Sequence, residues 1–230
     1  MRPLLVTLAT DFGPDSAYTA LLKGALLTRW PGAVIYDLSH SLEGGDVWGA
    51  AFFLRRVCGG FPAGSVHLVG VDRGDSDQVL VADAAGQRWI GMDNGLLSLV
   101  LAAHPRASVR AVRPAPRTTF LARDAMVELC GGEHGAPAAD WRRLELPADP
   151  QVLHVDRFGN LITSLTRAQA PGALEVEGTV ISAWAGEYGE GRTGELVLVW
   201  GAEGWLEISL LGGSAAERLG ARRGTAVGLR

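Results

Sequence analysis

Through the first half of the chain, short apolar runs alternate with segments of helical period. Residues 4–9 read as a buried strand, and residues 17–29 repeat apolar positions at helical spacing until Pro31 and Gly32 stop them. The pattern continues with a strand at 33–38, a helix at about 46–57, and strands at 65–71, 79–83 and 88–92. A helix at 96–104 and a strand at 108–112 complete it. Such alternation predicts an α/β domain, a mostly parallel sheet flanked by helices on both faces. From 131 to 150 the pattern lapses into Gly, Pro, Ala and charge, as expected of a link between domains. Beyond it, 152–155, 161–165, 179–183, 195–200 and 206–211 read as strands of a small antiparallel sheet or barrel, with one short helix at 214–219. The expected organisation is two domains, 1–145 and 150–230.

Composition narrows the chemistry. A chain of 230 residues, 47% hydrophobic and 20% charged, buries a core without metal or disulfide help, and disorder is excluded. A net charge of -4 argues against a nucleic-acid partner held on a basic face. Of the 21 basic residues only Lys23 is a lysine. Lys23 lies between Leu22 and Gly24, which excludes a P-loop, and Schiff-base chemistry has that single candidate. Cys58 and Cys130 stand far apart, without the spacing of a zinc site or a disulfide framework. Asp11 interrupts the first apolar stretch too early for a signal peptide, and no run approaches the ~20 apolar residues of a membrane helix. A cytoplasmic protein without a membrane partner or metal is expected.

Ligands of open parallel sheets collect at the carboxyl ends of strands. Asp11, Asp37, Asp72 and Asp93 each follow an expected strand there. One such carboxylate by itself reads better as a helix cap or loop acceptor; four together point to a polar site. His67 lies inside an apolar run and reads as a core histidine, and His40 as a residue bonded to neighbouring loop groups. Gly212, Gly213 and Ser214 read as a tight turn into a capped helix, because no histidine follows His154 to serve a nucleophile elbow. The run Asp156, Arg157, Phe158, Gly159, Asn160 puts an acid, a ring and an amide between two strands. It is either an ordinary hairpin turn or a site for an ammonium group and a stacked ring.

Read in order, these pieces resemble the S-adenosylmethionine hydroxide adenosyltransferases, adenosine-forming SAM hydrolases related to the fluorinating and chlorinating enzymes. The resemblance rests on Ala9 to Gly13 with Tyr18 and Lys23-Gly24, Tyr36 to His40, Phe61-Pro62 to Asp72, and Asp93 to Leu97. It continues through Thr119-Phe120 with Arg123-Asp124, Asp156 to Asn160, and Trp205 to Ala216, over nearly the whole chain. It implies an α/β N-terminal domain, a small C-terminal antiparallel β-barrel, and a homotrimer with SAM or adenosine bound between subunits. SAM is then substrate or ligand, and no cofactor is implied. Asp11 would accept from the ribose diol, Asp156 hold the methionine ammonium and Asn160 its amino-acid end. Phe120 and Phe158 would flank the nucleoside, with Tyr18 beside them, and Asp72 would serve the attacking water.

The sequence departs from the family where water is activated. The family's arginine falls near Gln78, its histidine at Leu121, and Ser164 and Leu211 replace two further polar positions. Arg73, Asp75 or Asp77 in the Asp72 loop are candidate substitutes. The resemblance implies hydrolysis of SAM to adenosine and methionine; the alternative is a catalytically silent adenosyl-ligand binder. A halogenase fits less well, since Leu121-Ala122 lacks the hydroxyl expected to hold a halide.

Overall fold

The computed structural model describes residues 3–71, 74–114, 118–190 and 192–230. The chain divides into two compact units, Met1–Glu145 and Leu146–Arg230.

The strands of the first unit are β1 (Leu5–Thr10), β2 (Val34–Ser39), β3 (Val66–Gly70), β4 (Val79–Ala84), β5 (Gln87–Met92), β6 (Ser108–Val112) and the short β7 (Ala136–Pro137). They make one sheet in the order β2-β1-β3-β5-β4-β6-β7. β2, β1, β3 and β5 are parallel; β4 opposes β5, and β6, antiparallel to β4, regains the common direction. The sheet is therefore mixed, with mostly parallel strands. Only Ala85 and Gly86 join β4 to β5, too short a connection for a crossover, so that pair forms a hairpin.

Among the described residues three helices, α1 (Ala17–Arg29), α2 (Val47–Val57) and α3 (Ser98–Ala102), flank the sheet. Ser16 caps α1 through its hydroxyl, which accepts from the Tyr18 amide, and Asp46 caps α2 by accepting from the Gly49 amide. Strand alternation splits the core in two. Val6, Leu8, Val66 and Leu68 pack with Leu22 and Leu26 of α1, while Ala9, Val69 and Leu80 pack with Leu54 of α2 and Val100 of α3. Each fully buried leucine contributes about 1.5–3 kcal/mol. His67 is buried between Thr7 and Gln87 and stacks on Trp89, its centroid 3.9 Å away, as a core histidine.

Three sequence expectations change. The helix expected at 96–104 is only the five-residue α3, because Asn94 Oδ1 accepts from the Leu96 amide and holds that end in a turn. Asp37 lies within β2, inside the strand expected at 33–38, rather than at a strand's carboxyl end. Much of the expected link packs on the first unit: Trp141 joins the α2–α3 core, Arg142 donates its amide to Asp93, and Leu144 donates its amide to Ser98 Oγ.

The second unit contains β8 (Val152–Val155), β9 (Leu161–Thr166), β10 (Leu174–Val176), β11 (Thr179–Ile181), β12 (Leu196–Trp200) and β13 (Trp205–Leu210), then α4 (Ala215–Leu219) and β14 (Gly228–Leu229). They form two antiparallel sheets, β12-β13-β9-β8 and β11-β10-β14, around Leu161, Leu174, Leu198 and Ile208. β10 and β14 escape the sequence pattern because strands this short carry no readable period. Ser214 caps α4, accepting from the Glu217 amide, as the turn reading expects. Among the described residues no helix is long and apolar enough to cross a membrane, and no three potential ligands cluster for a metal ion.

Candidate functional site

The chain leaves β1 to one side for β2 and returns on the other side as β3, so β1 and β3 flank the point where strand order reverses. Open α/β sheets bind ligands outside the carboxyl ends of strands at such a point. A cleft of about 170 Å3 lies there in this protein. Asp11 and Phe12 line it after β1, Gly70 and Val71 at the end of β3, and Met92 at the end of β5. Its remaining wall is Thr118 to Ala122 with Met126.

That wall has unusual local geometry. Thr118 Oγ1 accepts from the Phe120 amide and donates to Asp124, whose other oxygen accepts from Arg123 Nε. The Arg123 guanidinium, then the Thr118 hydroxyl, hold the Asp124 carboxyl below its ordinary range. The chain then makes a π-helical turn over Ala122–Met126, an irregularity frequent at functional sites. Phe120, whose carbonyl accepts from the Asp124 amide of this turn, lines the cleft. Phe12, Tyr18 and Phe120 form an aromatic triangle with centroids 5.0–6.1 Å apart, all tilted or edge-on, and Tyr18 is 55% exposed at the rim. Gly70 is required for this packing: a Cβ there would stand 2.9 Å from the Phe12 ring.

The first unit thus brings together Asp11, Tyr18 and Phe120 of the expected residues. Asp72 and Arg73 lie outside the described residues; Val71, the residue before them in the chain, lines the cleft. Asp93 does not line it: its carboxylate accepts from the Arg142 amide. Asp37 pairs with Lys23 at 2.6 Å and His40 at 3.0 Å. Burial alone would raise the Asp37 carboxyl, but these hydrogen bonds and charges outweigh it and hold the group low. Asp75 pairs with Arg142 at 2.8 Å and Asp77 with Arg113 at 3.7 Å, and neither lines the cleft. Leu121 does line it, packed against the core, so an aliphatic wall occupies the position where the resembling family carries a histidine. Phe12, Gly70 and the hydroxyls of Thr118 and Thr119 are lining groups that sequence reading gave no role; the only signal for Gly70 was a glycine ending an apolar strand.

In the second unit, Asp156, Phe158 and Asn160 share one turn. Asp156 Oδ1 accepts from the amides of Phe158 and Asn160 at 2.8 and 2.9 Å, and Oδ2 accepts from Asn160 Nδ2 at 2.9 Å. A carboxylate so placed is oriented and retains further acceptor capacity. Phe158 projects from the turn 71% exposed, with the Arg157 guanidinium 5.8 Å from its ring. The turn is both an ordinary tight turn and an ordered acid–amide pair beside an unburied ring.

A larger cleft, of about 430 Å3, opens between Asp83–Gly86 and Ala103–Ala107, by the turn that enters β5 and the start of β6. It contains none of the expected residues, and Asp83 there is already paired with Arg88 and Arg110. The smaller cleft is therefore the candidate site.

Sheet topology, the strand-end carboxylate and the aromatic cluster define a two-unit α/β protein with a polar–aromatic ligand cleft. The comparisons with known proteins are more specific. Residues 6–134 match the SAM hydroxide adenosyltransferase N-terminal domain and residues 150–228 its C-terminal domain, so the chain belongs to the SAM hydroxide adenosyltransferase family. An (R)-S-adenosyl-L-methionine hydrolase of Thermus thermophilus is 34% identical, with 100% of both chains covered. One from Methanocaldococcus jannaschii is 27% identical over 71% of this chain and 67% of its own. A crystal structure of a conserved hypothetical protein from Thermus thermophilus superimposes with a TM-score of 0.83 at 33% identity over 100% of both chains. One from Thermotoga maritima gives 0.85 at 25% identity, covering 97% of this chain and 98% of its own.

Proposed function

We propose that this protein is an enzyme that hydrolyses (R)-S-adenosyl-L-methionine to adenosine and methionine. The observation that carries the reading is end-to-end similarity, at 34% identity, to a hydrolase of that substrate. The switch-point cleft, with Asp11 beside three aromatic rings, suits a ribose diol and a nucleobase. In the proposed reaction a water oxygen bonds to ribose C5′ as the C5′–S bond breaks. The sulfonium leaves as the neutral thioether of methionine, and the water's proton passes to a base. The leaving group is activated by its own charge, so the protein's work is to align water in line with the breaking bond and receive that proton. Asp72 is the proposed acceptor, Asp11 the ribose acceptor, and Asp156 with Asn160 the holder of the amino-acid end. Phe120, Tyr18 and Phe158 are the proposed contacts of the nucleoside. No cofactor forms part of this reading.

A second reading is favoured by one observation: Leu121 lines the cleft and can neither take nor relay a proton. It makes the protein an adenosyl-ligand binder without turnover. Incubation of the pure protein with (R)-S-adenosyl-L-methionine, with adenosine measured by chromatography and binding by calorimetry, separates the two. Adenosine formation establishes the hydrolase, binding without product leaves the second reading, and the absence of both sinks both. The assembly proposed is a homotrimer, supported by the family membership alone; sedimentation equilibrium giving a single 24.3 kDa species would overturn it. A cytoplasmic setting is proposed with it, supported by the two unpaired cysteines.

A further inference from the structure

His40 is a titratable group, 6% exposed, that the reaction does not use. It grips the turn carrying Asp11 from both sides. Its Nδ1 lies 2.7 Å from Thr10 Oγ1, just before Asp11, and its carbonyl accepts from the Gly13 amide at 2.8 Å, just after. Thr10 Oγ1 also accepts from the Phe12 amide at 3.4 Å, and Thr10 O accepts from the Leu42 amide at 3.3 Å. Nε2 of the same ring stands 3.0 Å from Asp37 Oδ1, an ion-pair contact. The other Asp37 oxygen accepts from Lys23, the chain's single lysine, at 2.6 Å.

The partners assign the polarity of the chain. A carboxylate beside Nε2 favours the proton there, which leaves Nδ1 to accept from the Thr10 hydroxyl. Thr10 Oγ1 then has its lone pairs for the Phe12 amide. From the Phe12 amide through Thr10 Oγ1 to His40 Nδ1 the donors run in one direction, so the run starts on the backbone of the residue after Asp11, and Nε2 adds its contact with Asp37. Buried hydrogen bonds linked in this way rigidify the backbone they end on. Asp11 also donates its amide to Gly70 O at 3.3 Å, so the turn is tied to β3 as well.

We propose that Thr10, His40 and Asp37, anchored by Lys23, form a positioning device that fixes the Asp11–Phe12 turn for an adenosyl ligand. It rests on the nucleoside-binding reading of the cleft. None of these four side chains lines the cleft; they act through Asp11 and Phe12. Sequence reading took His40 as a residue bonded to neighbouring loop groups; its effect at both ends of the Asp11 turn comes from β1 and β2 lying side by side.

The test compares Thr10→Val, which removes Oγ1 at nearly constant shape, with Thr10→Ser, which keeps it. His40→Leu tests the ring itself. Two readouts are taken: amide hydrogen exchange at Phe12 and Gly13 without ligand, and adenosine affinity by calorimetry with KM and kcat for (R)-S-adenosyl-L-methionine. For Thr10→Val we expect about tenfold faster exchange at Phe12, the loss of one net hydrogen bond. Adenosine binding and KM should weaken by a similar factor, while kcat at saturation stays within about twofold and Thr10→Ser stays close to the parent on every measure. His40→Leu should move in the same direction as Thr10→Val, and if it does not fold the threonine pair decides alone. Parental exchange at Phe12 together with parental affinity in Thr10→Val overturns the proposal. If the parent binds no adenosine, the nucleoside reading falls instead, and exchange at Phe12 still decides whether the device holds the turn.

Discussion

Leu121 is the lining residue at which the proposed turnover is best tested. It follows Phe120, a ring that lines the cleft, and its own side chain forms part of the same wall. A general base or relay typically contributes about 10²–10⁴-fold to a rate, and a leucine can supply none of it. Leu121→His should therefore raise the rate of adenosine formation by at least about tenfold, while adenosine affinity changes little. Single-turnover assays beside calorimetry check both halves. The carboxylate at the other side of the cleft is tested by Asp11→Asn. Replacing an ionised acceptor with an amide should weaken adenosine by about tenfold or more, since hydrogen bonds to charged groups contribute about 1.5–3 kcal/mol.

At the scale of single elements, two local arrangements set stability. Within β3, burial pushes His67 down from 6.5 to about 4, and the Gln87 hydrogen bond only partly opposes it. The folded protein thus binds fewer protons than the unfolded chain between about pH 4 and 6.5. Stability must fall as pH drops through that window, by roughly 3 kcal/mol in all at ~1.36 kcal/mol per unit. Melting curves across pH 4–7 should show the slope, and His67→Gln should flatten it. In the turn between β8 and β9, Gly159 has a φ of +82°, and a Cβ there would run into Ser214 at the start of α4. Gly159 O also accepts from the Ala216 amide, so turn and helix are joined. Gly159→Ala should cost about 2 kcal/mol or more by adding left-handed strain to a clash. Chemical denaturation followed by the tryptophan fluorescence of the second unit would read it.

At the scale of the molecule, the two units have separate cores, two layers on either side of the mixed sheet and one cluster between the smaller sheets. The change of unit falls at Glu145 and Leu146, because Trp141, Arg142 and Leu144 are held on the first unit by packing and hydrogen bonds. Limited proteolysis should cut within 146–150, where Leu146 is exposed, and spare 139–145. Uniform cutting from 131 onward would contradict that packing.

Sequence periodicity by itself determined most strands, α1 and α2, and the two-sided burial of the sheet, because each depends on the spacing of apolar side chains along a few residues. The resemblance to a known family, carried by an ordered set of short motifs, singled out Asp11, Tyr18, Phe120 and the Asp156–Asn160 turn as candidates. Only the tertiary structure decided the rest. That β4 turns back on β5, that Asp37 belongs to an edge strand and pairs with Lys23, and that Trp141 is core rather than linker are consequences of distant segments meeting. The same holds for Gly70 making room for Phe12 and for His40 bracketing Asp11 from the neighbouring strand. A sequence shows which side chains are available to a site; contacts between residues far apart in the chain fix which of them are used there and which are neutralised elsewhere.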